Sequence, residues 1–478
     1  MLERLNLLSK KELFKFGQFI ESPYFNTVEN VKLLFRYLKS LYPDINENDI
    51  ENKKLFKVIY GNKKFDDVKI RKLKSNFRKT FEEFLIQTET EEEKSEKILL
   101  LKALRKHGFR KEFSLILNET KRDKKFKKNF SKNGQYYLFQ TDLNTEEFYN
   151  YYTDRKYNLA KLLQNKSDNL DLFFAFSKLH TFHEMLLHNY ERDENFSFKL
   201  TFFSEIFDYI KSNEKHISKS HPNLYIIYLV YKMYTDKAGN FPKMFVEYLN
   251  KNGSYFSKTQ LGYYYRYLES YYWMNINDGH TEFRKDVLKI YKTMISKKVF
   301  LLEEYINDNE FNNVINSALP LGEFAWTENF IEENKKYLKS DLSEETFHLA
   351  KAKLYFYKKD MDKALLNLND VHYKDPHYFV NSKFLLARVQ YELKNYEMIY
   401  NVLASLEQYT RRGKFNLNTK QRKNILIFRK YINYLLKLNE PGKKNSVHIL
   451  KKMLLNEKYF ISGKSWFLEK VTELETKK

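Results

Sequence analysis

Apolar side chains recur every three or four positions along almost the whole chain, and this period constrains the fold more than any other feature. It is the spacing that turns one face of an α-helix towards a hydrophobic core. Helix-breaking residues are rare, with 12 Gly and 7 Pro in 478 residues, whereas these two types together usually make up ~12% of a chain. No stretch shows the sustained alternation of apolar and polar residues that is typical of strands. The sequence therefore predicts an all-α fold.

A helix from about residue 66 to residue 86 shows the period most clearly. Five apolar residues fall on one narrow arc at about 100° per residue, namely Ile70, Leu73, Phe77, Phe81 and Phe84. Four basic residues of the same segment point away from this arc: Arg71, Lys72, Arg78 and Lys79. These four are candidate polyanion-binding residues on the outer face of an amphipathic helix.

The charged stretch at 88–96, with the sequence TETEEEKSE, is the best internal boundary because it has almost no apolar residue. We predict an N-terminal helical domain over 1–88 and a divergent array of helical hairpins over 95–340. In that array, helical segments of roughly 15–25 residues alternate with short breaks such as Asn133-Gly134 and Asn252-Gly253. A third domain, 341–478, is predicted to hold two repeats followed by capping helices.

The repeats are residues 344–376 and 379–410, which align at a spacing of about 35. Three pairs carry the alignment: Ala352 with Ala387, Asp360 with Asn395, and Leu368 with Leu403. This pattern resembles the tetratricopeptide repeat, whose ~34-residue unit is two antiparallel helices. The resemblance implies an α-solenoid of helical hairpins that is tetratricopeptide-like in the C-terminal third.

The chain departs from the tetratricopeptide pattern at informative positions. The early tryptophan of the family is replaced by His348 and Lys383. The Lys and Asn with which some members clamp a peptide carboxylate fall at Leu349 and Lys353, so this clamp is not expected here. The whole chain also resembles a family of uncharacterised bacterial all-helical proteins, through SPYFN near Ser22, ALPLGEFAWTENFIEE and KKDMDKALLNL. That resemblance implies an architecture and no activity.

The composition also limits the chemistry and location that we expect. The chain has no cysteine, which excludes disulfides, thiolate catalysis and cysteine-ligated metals. Its first residues, MLERLNLLSKKELF, lack the apolar core of a signal peptide. The longest apolar run, Leu224 to Tyr231, is far shorter than the ~18–20 residues of a membrane span. We expect a cytoplasmic protein without integral membrane association.

No catalytic residue, cofactor site or metal site is predicted. On HTFHEMLLH, His180, Glu184 and His188 lie one helical turn apart and offer a metal pair, but satisfied histidines are the simpler interpretation because no distant ligand is evident. The ISGKS segment around Gly463 ends like a phosphate-binding loop, but Lys458 stands where that loop needs another glycine. We therefore expect that the protein is not an enzyme.

The net charge of +22 comes from 84 basic and 62 acidic residues. Such a field attracts nucleic acid and other polyanions, although interspersed charges also suit ordinary solvated helices, and AT-rich codons enrich lysine. In TKRDKKFKK the candidate polyanion-binding residues are Lys121, Arg122, Lys124, Lys125, Lys127 and Lys128. A basic last turn that complements the helix dipole also explains this cluster.

Aromatic residues crowd the segment YYYRYLESYYW, and they must surround a helix on several faces. The candidate interface aromatics are Tyr263, Tyr264, Tyr267, Tyr271 and Trp273. Filling of the space between helices is the alternative role for these rings.

Together these features predict a non-catalytic helical-repeat scaffold that binds a protein or peptide partner. The alternative is a nucleic-acid-binding protein that uses the basic helical patches. The identity of the partner and the oligomeric state are left open by the sequence.

Overall fold

The structure is a computed structural model that describes residues 2–92, 95–123, 132–155, 157–192, 196–301, 305–338, 343–369, 371, 376–411, 419–439, 446–457 and 461–476. Over these ranges the regular structure is helical, and the sole β-bridge joins Ile306 to Leu338. The prediction of an all-α fold is confirmed.

The chain divides into two compact units, each made of two segments. The first consists of Met1–Asp123 and Phe139–Ser167, and the second of Lys124–Leu138 and Asp168–Lys478. The first unit contains helices α1 (Lys10–Glu21), α2 (Glu29–Leu41), α3 (Asn52–Tyr60), α4 (Asp67–Glu92), α5 (Ser95–Lys106) and α6 (Arg110–Arg122). Helices α7 (Gly134–Tyr151) and α8 (Leu159–Arg192) contain residues of both units. The domain limits given by the sequence at 88, 95 and 340 stay predictions.

The core of the first unit forms where α1, α2 and α4 meet. The ring of Phe16 on α1 lies 5.2 Å from that of Phe35 on α2 and 5.7 Å from that of Phe77 on α4. On α4 the predicted apolar arc faces inwards: Ile70 is fully buried, as is Phe77. The predicted helix is therefore present, and it continues to Glu92, beyond the expected end at residue 86.

The second unit is a succession of helices that pack against their neighbours in chain order. They are α9 (Phe203–Ser212), α10 (Glu214–Ser220), α11 (Pro222–Thr235), α12 (Phe241–Asn252), α13 (Lys258–Asn277), α14 (Arg284–Ser296), α15 (Asp308–Ala318), α16 (Phe324–Asn334), α17 (Ser343–Tyr357), α18 (Met361–Asn369), α19 (Pro376–Glu392), α20 (Tyr396–Arg411), α21 (Thr419–Leu438), α22 (Val447–Asn456) and α23 (Lys464–Thr476). Alternate helices also touch, for example α15 with α17 and α17 with α19. Because alternate helices touch, residues that are distant in sequence can lie side by side.

Two hairpins, α17 with α18 and α19 with α20, repeat the same local geometry at the predicted spacing. Each turn contains a lysine with left-handed backbone, Lys359 at φ 63° and Lys394 at φ 59°. The small residues Ala352 and Ala387 are both fully buried, which allows neighbouring helices to approach closely.

Candidate functional site

A cleft of about 1300 Å³ lies within the second unit, and helices α13, α14, α15, α17 and α19 and the start of α23 contribute to its walls. Asparagine side chains recur along it: Asn277, Asn307, Asn309, Asn312, Asn313, Asn316, Asn381 and Asn424. A carboxamide both donates and accepts hydrogen bonds. The cleft therefore presents many neutral groups able to bind a polar ligand.

Lys353 on α17 reaches two of these amides on α15. Its Nζ donates to Oδ1 of Asn312 and to Oδ1 of Asn316, at 3.1 Å each. The amide nitrogen of Asn312 donates to the backbone oxygen of Asp308 at 3.0 Å and to Oη of Tyr378 at 3.3 Å, which leaves its oxygen for the lysine. Burial lowers the pKa of Lys353 to about 7, and the charge of Arg388 adds to this effect.

Arg388 on α19 lines the cleft beside Lys353. Its Nε donates to the backbone oxygen of Phe384 at 3.2 Å, and its Cζ lies 5.1 Å from the centre of the Phe356 ring. Within the described residues its two terminal nitrogens have no acceptor. Burial lowers the pKa of Arg388. The guanidinium is thus partly desolvated while its strongest donors are unused.

Arg284, the first residue of α14, also lines the cleft. Its Nε is buried and has no hydrogen-bond acceptor in the described part of the chain. Burial lowers the pKa of Arg284, and the phenol of Tyr357 opposes this decrease, as it does for Arg388. Tyr357 lines the same cleft as the two arginines.

A buried network adjoins the same cleft on α13. Tyr291 Oη donates to Oε1 of Glu269 at 2.5 Å, and Trp273 Nε1 donates to Tyr291 Oη at 2.9 Å. Burial raises the pKa of Glu269 to about 7. Nearby, Arg266 pairs with Glu310 at 2.8 Å. Glu269 is thus a carboxyl group whose charge is disfavoured by its surroundings.

The predicted basic residues of α4 all lie on its exposed face. Arg71 and Arg78 pair with carboxylates one turn away, at 2.8 and 2.6 Å. Lys72 and Lys79 have no partner among the described residues. Half of this patch is therefore available to an external anion without breaking an ion pair.

The second basic cluster is only partly described. Lys121 Nζ lies 2.6 Å from Oε1 of the buried Glu147, so this lysine neutralises an internal carboxylate. Arg122 is exposed at the end of α6. Four further members of the cluster lie outside the described residues: Lys124, Lys125, Lys127 and Lys128.

The candidate interface aromatics occupy different environments on α13. Tyr263 is 54% exposed, whereas Tyr264 is buried and donates to Asn223. The ring of Tyr267 lies edge-on to the ring of His183, with 4.4 Å between the two ring centres. The remaining two, Tyr271 and Trp273, are half-buried, and Trp273 lines the cleft. Tyr263 alone among these five is exposed on the surface.

The predicted histidine group contains one ion pair and one buried ring. His180 Nδ1 lies 3.6 Å from Oε1 of Glu184. His183 is buried, and burial lowers its pKa to about 4. Among the described residues no three His, Asp or Glu side chains are arranged to hold a metal ion.

Three cations of the cleft, Arg284, Lys353 and Arg388, were not predicted as site residues, because they lie far apart in sequence. One signal was present: Lys353 lies between two apolar residues, Ala352 and Leu354, and the structure buries both of these neighbours. The ISGKS segment supplies another wall, since Gly463 lines the cleft at the start of α23.

Comparisons with protein-family models, with curated proteins and with solved structures found no match. Within the described part of the chain, no helix is both long and apolar enough to cross a bilayer. The cleft and the charged surfaces are therefore the features of the molecule that bear on its function.

Proposed function

We propose that this chain is a non-catalytic scaffold whose cleft in the second unit receives a protein or peptide partner. The observation that carries the proposal is the cleft of about 1300 Å³ with asparagine amides along its walls. Amides of this kind match the donors and acceptors of a peptide backbone without requiring a fixed charge. The volume exceeds the ~300–1,000 Å³ of most small-molecule pockets, which favours a longer ligand.

The proposal includes an architecture: an α-solenoid of helical hairpins, tetratricopeptide-like in the C-terminal third. The repeated turns at Lys359 and Lys394 and the buried alanines at 352 and 387 support it. Stacked hairpins produce extended grooves that bind polypeptides. No catalytic residue is assigned under this proposal, and the partner is expected to share the compartment of the chain, for which we propose the cytoplasm.

Photo-crosslinking of the full chain in a nuclease-treated extract tests the proposal. A crosslinking residue placed at Asn381 lines the cleft, whereas one at the exposed Lys251 on α12 is the matched control. We expect one protein to crosslink at position 381 and not at position 251. An excess of unlabelled wild type should displace this protein, whereas the cleft-filling variant Asn316→Trp should not. The captured protein must then bind purified wild type. Equal competition by Asn316→Trp would contradict the proposal.

Nucleic-acid binding is the second candidate, favoured by the net charge of +22 and by the exposed Lys72 and Lys79 of α4, which form no ion pair with any described residue. Affinity for duplex DNA should then fall with salt, with a slope of about −0.9 per neutralised phosphate. The double variant Lys72→Gln/Lys79→Gln should reduce that slope by about 2. Lys243→Gln, an exposed residue of α12, should leave it unchanged.

A further inference from the structure

We propose that the cleft of the second unit binds a phosphate group, as free phosphate or as a phosphate monoester, between Arg284, Lys353 and Arg388. Phosphate binding at these three residues does not require a particular protein partner elsewhere in the cleft.

The cation cluster consists of Arg284, Lys353 and Arg388, which come from α14, α17 and α19 and line one cleft. The charge of Arg388 disfavours the protonated form of Lys353, and the phenol of Tyr357 acts on both arginines. Like charges that are partly removed from water repel one another strongly. The cluster therefore has no anion to balance its positive charge within the described residues.

Among the described residues, no carboxylate balances the positive charge of this cluster. None of the three cations has a carboxylate within ion-pair distance in the described ranges. Two carboxylates elsewhere in the cleft have their own donors: Glu269 accepts from Tyr291, and Glu457 accepts from Tyr431 at 2.9 Å. Asp278 and Asp308 also line the cleft, and within the described residues neither forms an ion pair with one of the three cations. Buried charges in folded proteins are normally paired. An external anion would complete the cluster.

The cation cluster also has several hydrogen-bond donors that no acceptor in the described part of the chain uses. An ammonium group has three hydrogens and a guanidinium has five. Lys353 uses two of its hydrogens on asparagines, and Arg388 uses only Nε. The buried Nε of Arg284 has no acceptor within the part that is described. Donors that face one cleft from three helices suit a ligand with several oxygen acceptors.

The charge and shape of this set favour phosphate over carboxylate. A carboxylate has one negative charge and two oxygens in a plane, whereas a phosphate monoester has about −1.5 to −2 charges at neutral pH and three terminal oxygens. Arginine forks bind phosphate oxygens in pairs. The start of α23 at Lys464 also lines the cleft, and its helix dipole adds favourable potential for an anion.

Isothermal titration of the full chain with inorganic phosphate at constant ionic strength tests the site. We expect saturable binding, with affinity at least about tenfold lower in Arg388→Gln and in Arg284→Gln. Arg411→Gln, an exposed arginine at the end of α20, should bind like wild type. Glycerol phosphate compared with inorganic phosphate distinguishes a monoester from the free ion, and either one binding supports the site.

Three outcomes would overturn the proposal: no saturable binding of either phosphate, equal binding by acetate, or equal binding by the two arginine variants. A second measurement separates ligand binding from a structural role. Without phosphate, the two variants should unfold at the same temperature as wild type or higher, because one of three like charges is removed. A lower unfolding temperature together with unchanged phosphate binding would show that the arginines are structural. The crosslinking test with Asn316→Trp measures binding of a protein partner, whereas the titration measures binding of phosphate. Failure of one proposal is therefore distinguishable from failure of the other.

Discussion

The guanidinium of Arg388 lies directly against Gly463: a Cβ at Gly463 would stand 2.8 Å from Nη1. Gly463 also has φ 78°, a left-handed conformation that costs other residues about 1–2 kcal/mol. The Gly463→Ala variant should therefore lose stability and also displace Arg388. We expect weaker phosphate binding by titration calorimetry, in addition to a lower free energy of unfolding in urea.

Gly322 provides the matched control because it has the same φ of 78° with nothing within 4 Å of its ideal Cβ position. Gly322→Ala should lose a similar amount of stability and bind phosphate like wild type. Equal phosphate affinity in both alanine variants would contradict a role for Gly463 in placing the guanidinium.

Lys353 should give stability a pH dependence of known sign. Burial lowers its pKa from 10.5 to about 7, so the folded protein loses this proton above about pH 7 while the unfolded chain keeps it to about pH 10.5. Between these values the unfolded state binds more protons, and the free energy of unfolding rises with pH. Wild type should gain on the order of a few kcal/mol across this window, whereas Lys353→Met should lack that gain.

Urea unfolding at a series of pH values checks this difference. Lys353→Met should be more stable than wild type at pH 6, where the buried ammonium is charged, and the two curves should converge towards pH 10. Lys363→Met, which removes an exposed lysine on α18, should run parallel to wild type. The same parallel behaviour in Lys353→Met would show that Lys353 is not desolvated.

Glu269 should act in the opposite direction. Burial raises its pKa from 4.5 to about 7, so between these values the folded state holds a proton that the unfolded state has lost. Stability should fall as pH rises through this window. Glu269→Gln keeps an acceptor for Tyr291 without a charge, and at pH 8 it should be more stable than wild type by on the order of 2–3 kcal/mol. Glu247→Gln, which changes an exposed residue of α12, should leave the slope of stability against pH unchanged. A Glu269→Gln curve with the wild-type slope would contradict the prediction.

The fold class could be predicted from the sequence because a packed helix shows a local hydrophobic period. Ile70 and Phe77 are seven positions apart, so the helical period alone places them on one face, and the structure buries both. The hairpin turns at Lys359 and Lys394 show the ~35-residue spacing of the aligned pairs, while the repeat itself stays a prediction. The end of α4 differed because residues 88–92 carry few apolar side chains, and a polar helix end has no hydrophobic period to reveal it.

The cation cluster could not be predicted in this way. Arg284, Lys353 and Arg388 lie on different helices, and their convergence depends on how α14, α17 and α19 pack. Periodicity tells which face of a helix is apolar, but not which polar residues of separate helices meet. Lys121 illustrates the converse, since the sequence placed it in a basic surface patch whereas its ammonium group pairs with the buried Glu147.

The paired alanines of the two C-terminal hairpins give a test of close packing. Ala387 is fully buried on α19 at the position that Ala352 holds on α17. A leucine at 387 would need space that neighbouring side chains already fill, so Ala387→Leu should lower the free energy of unfolding by about 1–3 kcal/mol. Ala325→Leu on the exposed face of α16 should change it by less than about 0.5 kcal/mol. Unfolding in urea followed by circular dichroism measures both, and an Ala387→Leu midpoint equal to that of wild type would show that the helices are not in close contact at this alanine.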